Sequence, residues 1–256
     1  MGHTPTFLDR HFPLPPVQRV GLDRPAQWLK AGVGDLLANP LPSLAYGLLF
    51  SIGGDLILLG SLHEPYLFMT ALSVFCLAGP LLAAGLYELS RLRAIGGPRP
   101  GFLDSLGNLG RNAPALTLYG LLIAVVAVLW EQVTAVSFSL IANQELGLSQ
   151  MVNLLTTGEH QAFMATWLIL GACLALLVFA FSVVSVPMIL DRDADFVTAM
   201  ATSLRAFFLN LETLVLWAGI IALLVFISFA TLMVGLVFAM PVLGHATWHA
   251  YRELVK

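Results

Sequence analysis

Long apolar runs alternate with short polar stretches along the chain, and the period of the pattern is that of a membrane rather than of a water-facing fold. A helix needs about 20 apolar residues to cross a hydrocarbon core. Leu41–Leu62, Tyr66–Leu86, Ala115–Ala135 and Ala162–Leu190 each meet that length. A fifth run, Thr213–Thr247, would form a single helix about 50 Å long at about 1.5 Å per residue. Two shorter helices with a turn near Ser228–Thr231 fit a bilayer better, the alternative being one tilted helix broken at Pro241. The pattern therefore predicts an all-α polytopic membrane protein of six transmembrane helices paired as three hairpins.

Amphipathic stretches precede the hairpins. Pro25–Leu37 gathers Trp28, Leu29, Val33, Leu36 and Leu37 near one face, and Asp193–Leu209 gathers Phe196, Val197, Met200, Leu204, Phe207 and Phe208. Such helices lie in the membrane interface, apolar side down. Asp191, Asp193 and Asp195 suit the start of the second helix through its dipole, or else form a solvated acidic turn.

The same local order recurs three times. Asn39, Asn112 and Asn210 each stand seven residues ahead of an aromatic and a small residue, at Tyr46-Gly47, Tyr119-Gly120 and Trp217-Ala218. Gly32, Ser105 and Ser203 stand seven residues ahead of those asparagines. The second helix of each predicted hairpin carries a proline, Pro80, Pro187 or Pro241, whose kink requires close neighbours to satisfy the freed carbonyl. The expected organisation is a flexible cytoplasmic segment, 1–24, followed by one membrane domain, 25–256, of three pseudo-repeats at about 25–90, 100–190 and 193–256.

Composition agrees: 58% of residues are hydrophobic and 11% charged, against about 25% charged in soluble domains, and the mean hydropathy is +0.87. With six spans, all 12 Lys and Arg residues fall on one side. The positive-inside rule makes that side cytoplasmic and puts both termini there. The first 40 residues lack the apolar core of a signal peptide. A bacterial cytoplasmic membrane is the expected location. Cys76 and Cys173 lie in apolar runs and read as small packing residues.

Three stretches resemble a known family: Gly79-Pro-Leu-Leu-Ala-Ala-Gly-Leu-Tyr-Glu88; Ser185-Val-Pro-Met-Ile-Leu-Asp-Arg-Asp193 with the helix that follows to Asn210; and Gly244-His-Ala-Thr-Trp-His-Ala-Tyr-Arg252. The chain is similar, from about Val20 onward, to the bacterial integral membrane proteins called domain of unknown function 2189. Asp191 and Arg192 belong to the second stretch. The resemblance implies location and architecture, and carries no activity.

Candidate chemistry is sparse. Asp55 lies about 21 Å into the first span, at the end of a stripe formed by Ser43, Gly47 and Ser51, and an intramembrane carboxylate is a functional-site hypothesis by default. Thr117, Gly120, Ala124, Ala127 and Glu131 repeat the arrangement on the third span. Small stripes permit close approach, so the two faces are expected to meet or to line one cavity. His63, Glu64, Glu145, Glu159 and His160 gather on the outer side without the short spacings of a metal site. His245 and His249 share a helix face with Trp248 beside them. That set reads as interfacial anchors, or as ligands of a metal or haem-associated accessory protein.

No nucleotide-binding glycine loop, zinc helix, serine elbow or Cys-x-x-Cys pair occurs. No enzyme activity, cofactor or bound metal is expected. The partners expected are the lipid bilayer and other membrane proteins or a second copy of the chain, with no nucleic acid. Two function classes follow: a non-catalytic membrane scaffold or accessory subunit, and a small transporter or proton or cation permeation protein using Asp55 and Glu131.

Overall fold

The computed structural model describes residues 14–60, 65–96, 98–139 and 161–256. Among them are eleven helices: α1 (Arg24–Ala38), α2 (Pro40–Gly60), α3 (Pro65–Leu82), α4 (Ala84–Ile95), α5 (Phe102–Arg111), α6 (Ala113–Ser139), α7 (Gln161–Ser182), α8 (Ser185–Arg192), α9 (Phe196–Leu209), α10 (Leu211–Ala230) and α11 (Leu236–Leu254). Five segments are long and apolar enough to cross a membrane: Pro40–Gly60, Ser73–Ile95, Ala113–Ser137, Ala165–Arg192 and Leu211–Ala230. The predicted sixth, α11, has the length of a span but is not among those five by composition.

The three asparagines have one structural job. Asn39, Asn112 and Asn210 are the C-caps of α1, α5 and α9, each the single residue between a short helix and a long one. The aromatic residues seven positions on, Tyr46, Tyr119 and Trp217, are all buried. Proline stands in the first turn of α1, α2 and α6, where its missing N–H costs nothing.

The middle short helix, α5, was not legible from periodicity, because Gly107 and Gly110 weaken its helical propensity. Its start is fixed instead by Asp104, whose Oδ2 accepts from Gly101 N at 2.7 Å. At α9, Asp195 is the N-cap and accepts from Thr198 N at 3.0 Å, so the last of the three acids serves the helix start, while Asp193 pairs with Arg111 and Asp191 with Arg252.

Prolines break the second helix of each pair differently. Pro80 precedes the interruption at Ala83 between α3 and α4. Pro187 clashes with the carbonyl four residues back, and the chain opens there at Val183–Val184 between α7 and α8. Ser203 closes that opening: its Oγ donates to Ala180 O at 2.7 Å and accepts from Val184 N at 3.2 Å. Pro241 leaves α11 continuous and cannot donate to Val237 O. That carbonyl faces Gly47, where a Cβ would stand 2.0 Å from it, so a Cα hydrogen of Gly47 points at the freed acceptor. The last apolar run is two helices. A turn at 231–235 separates them, with Leu232 and Met233 at positive φ and Thr231 Oγ1 accepting from Gly235 N.

Packing is centred on α4, α8 and α11, which contact one another in all three pairings. Around them α5 packs on α4, α9 on α8, and α1 on α11, while α2, α6 and α10 contact α5, α9 and α1 respectively. Ala84 to Ser90 and Ser185 to Leu190 are buried without interruption. By contrast Leu48, Leu56, Val125, Leu129, Leu168, Ile169, Leu223 and Phe226 on the long helices point outward. Apolar side chains covering that much outer surface are stable only in an apolar solvent.

Candidate functional site

An assembly of titratable side chains lies where α1, α2 and α4 meet the C-terminal half of α11. Gly32 permits the contact, since a Cβ there would stand 2.5 Å from Val242 O. One turn on, Asp35 is 7% exposed. Its Oδ2 accepts from Ser90 Oγ at 2.6 Å and contacts His249 Nε2 at 3.0 Å, and its Oδ1 pairs with Arg93. His245, 1% exposed, holds a serine on each ring nitrogen: Ser90 Oγ lies 2.7 Å from Nδ1 and Ser43 Oγ 2.9 Å from Nε2. Ser43 also donates to Asn39 O at 2.8 Å. Burial alone would raise the Asp35 pKa, but the His249 and Ser90 hydrogen bonds and the nearby imidazoles outweigh it and hold the carboxyl below its usual range.

A second polar group adjoins the first. Glu88, fully buried, receives Arg91 through Nε at 2.7 Å and Nη2 at 2.8 Å. Tyr251 donates to Asp191 Oδ2 at 2.8 Å and accepts from Arg192 Nε at 3.0 Å, and Arg252 meets the same Asp191 oxygen at 3.0 Å. Arg192 also donates to the carbonyls of Val255 and Lys256. Val255 bridges to Val17 on the segment before α1, which Asn210 ties down: its Oδ1 accepts from Val20 N at 2.8 Å and its Nδ2 donates to Gln18 O at 2.9 Å. Asn39 Nδ2 likewise donates to Pro100 O at 2.6 Å, just ahead of α5. The corresponding Asn112 Nδ2 is buried without a hydrogen-bond partner among the described residues.

These positions sort the residues singled out by sequence. Ser43, Gly47 and Ser51 are buried, with Gly47 against Val237 of α11, and Asp55 at the end of the stripe is half-buried. Glu131 is half-buried on α6. The expectation that the α2 and α6 faces meet is corrected, while its alternative, that they line one cavity, stands as an expectation. Among the described residues, α3 packs on both helices, which do not form a packed pair, because α2 gives its small face to α11. His245 and His249 engage different partners, and Trp248 is 1% exposed, its ring tilted against Tyr251 at 5.4 Å between ring centroids, inside the bundle rather than at its surface. Pro187 and Pro241 are buried on α8 and α11, and Pro80 is half-buried on α3, just ahead of α4. His63, Glu64, Glu145, Glu159 and His160 lie outside the described residues. Among the described residues no group of three or more His, Cys, Asp or Glu side chains is arranged to hold a metal.

Asp35 and Ser90 were missed by sequence reasoning. The available signal was the acid on an otherwise apolar helix face, one turn past Gly32, where a partner on another helix is required.

The outward apolar faces, the five membrane-length segments and the sheltered polar end define an integral membrane protein of the helical, multi-pass class. Residues 67–191 match the family DUF2189, described as predicted integral membrane protein. The match includes the Gly79–Glu88 stretch and most of Ser185–Asp193, and stops short of Gly244–Arg252. No curated protein and no solved structure matches the chain.

Proposed function

We propose that the chain is a non-catalytic membrane scaffold or accessory subunit, crossing a bacterial cytoplasmic membrane six times as three hairpins, each led by a surface helix. The start of α10 and the end of α11 both meet α1, through the edge-on pair Trp28–Trp217 at 5.8 Å and the Trp28 Nε1 bond to Glu253 at 2.6 Å. A chain that leaves α1 through α10 and comes back to it through α11 supports α11 as the sixth crossing. The cyclic order, in which each short helix packs on the hairpin before it, supports three related units closing on themselves. The Lys and Arg residues then lie on the cytoplasmic side with both termini.

One observation carries the scaffold reading: the carboxylates of the packed end, Asp35, Glu88 and Asp191, are each held in an ion pair, whereas Asp55 and Glu131 stand on two helices that both pack on α3 and do not form a packed pair among the described residues. What the protein offers its surroundings is apolar helix surface, suited to other membrane proteins or a second copy. Affinity purification in mild detergent tests this. A stoichiometric membrane partner is the expected result. An isolated protein that moves protons or cations in liposomes, with loss of transport in Asp55→Asn, would replace it with the permeation reading.

A further inference from the structure

Four contacts run in series through His245: Asn39 O to Ser43 Oγ, Ser43 Oγ to His245 Nε2, His245 Nδ1 to Ser90 Oγ, and Ser90 Oγ to Asp35 Oδ2, at 2.8, 2.9, 2.7 and 2.6 Å. Each requires one proton. The two serines and a neutral imidazole supply three between them, and an ionised Asp35 supplies none. With Ser90 donating to Asp35, the imidazole proton must be on Nδ1. Ser43 is then left to choose between Asn39 O and His245 Nε2. A fourth proton completes the series in either of two ways: as imidazolium beside carboxylate, or, after transfer through Ser90, as neutral Nε2–H imidazole beside a carboxylic acid.

We propose that His245 and Asp35, joined through Ser90, form a proton-binding site that opens toward the Lys- and Arg-bearing end of the bundle. His249 and Arg93, with side chains 35% and 44% exposed, stand at its mouth. The inner end is sealed: Ser43 is fully buried and, beyond it, Gly47 lies against the Val237 carbonyl. The site therefore holds a proton and does not pass it on to Asp55. The charged groups facing His245 are Asp35 from α1, Arg93 from α4 and His249 from α11 itself. Glu88 of α4 is committed to Arg91, and Asp191 of α8 to Arg252 and Tyr251. Helix α2 contributes only Ser43 to the imidazole, and α10 contributes no charged group to it. Filling the site secures the Ser43–His245 bond, so acid on this side fastens α11 to α2. This inference is independent of the scaffold reading.

Nitrogen NMR of histidine-labelled full-length protein in detergent, from about pH 8 to about pH 4, tests it. The expected result is a His245 whose Nε2 is unprotonated at the upper end and gains a proton on acidification, in a protein that stays folded. Both filled forms share that proton. The resonance is assigned by its loss in His245→Gln or, if that variant does not fold, as the one displaced in Ser90→Ala. Ser90→Ala is also expected to move the midpoint by about one pH unit, since it uncouples the two groups. An Nε2 that is protonated throughout, an Nε2 that never gains a proton while the fold persists, or a midpoint unmoved by Ser90→Ala would each overturn the proposal.

Discussion

The end of the bundle that carries the Lys and Arg residues and the opposite halves of its long helices are built on different rules. At the cationic end α4, α8 and α11 bury unbroken runs of side chains, Ala84 to Ser90, Ser185 to Leu190 and Leu243 to Trp248, polar ones included, and pair them across distant parts of the sequence. In the opposite halves of α2, α6, α7 and α10, Leu56, Leu129, Leu168 and Phe226 face outward. There the rings of Trp130 and Trp167, centroids 5.5 Å apart, join α6 to α7. The difference teaches that specificity resides where polar groups must find partners, because lipid supplies little preference among apolar faces.

Substitutions can break this contrast or sharpen it. Trp217→Ala removes a fully buried ring and its edge-on contact with Trp28, and is expected to cost about 3–5 kcal/mol. Phe226→Ala, on the same helix but 70% exposed, is expected to fall within about 0.5 kcal/mol of the parent. Denaturation in mixed detergent measures both, and equal losses would erase the contrast.

Asn210→Ala strands the Val20 N–H and the Gln18 carbonyl. A loss of about 1–3 kcal/mol is expected, together with faster proteolysis of the segment before α1. Gly47→Ala places a Cβ against the Val237 carbonyl, and an over-packing cost of about 1–3 kcal/mol is expected. Gly219→Ala meets nothing within 4 Å, and a small gain from helix propensity is expected in the same assay.

Asp195→Ala removes the N-cap of α9, with an expected loss of about 1 kcal/mol. The hydrogen bonds from Thr198 hold the Asp195 pKa below its ordinary value. Its contribution is therefore complete above the unfolded-state pKa and vanishes as pH falls through the folded-state value. The gap between parent and D195A should close in acid, as followed by thermal melting.

The parts legible in the sequence are those encoded locally. The asparagine positions mark the short-to-long helix junctions, and the turn after Ala230 falls at the edge of the Ser228–Thr231 window. The small stripe of α2 does pack against another helix. The partner of that stripe was not legible, since spacing within one helix says which face is small but not which helix will cover it. The Asp35–Ser90–His245 network escaped for the same reason: its members come from three separated stretches, and only the His245–His249 spacing is local.

The proposed topology sets the cationic, polar-paired end of this lipid-embedded bundle in the cytoplasm. Paired C-terminal fusions at Lys256, one to a fluorescent protein that folds only in the cytoplasm and one to a phosphatase active only outside it, test that most directly. Bright fluorescence with no phosphatase activity is the predicted result. An active phosphatase with dark fluorescence would place the tail outside and contradict the account.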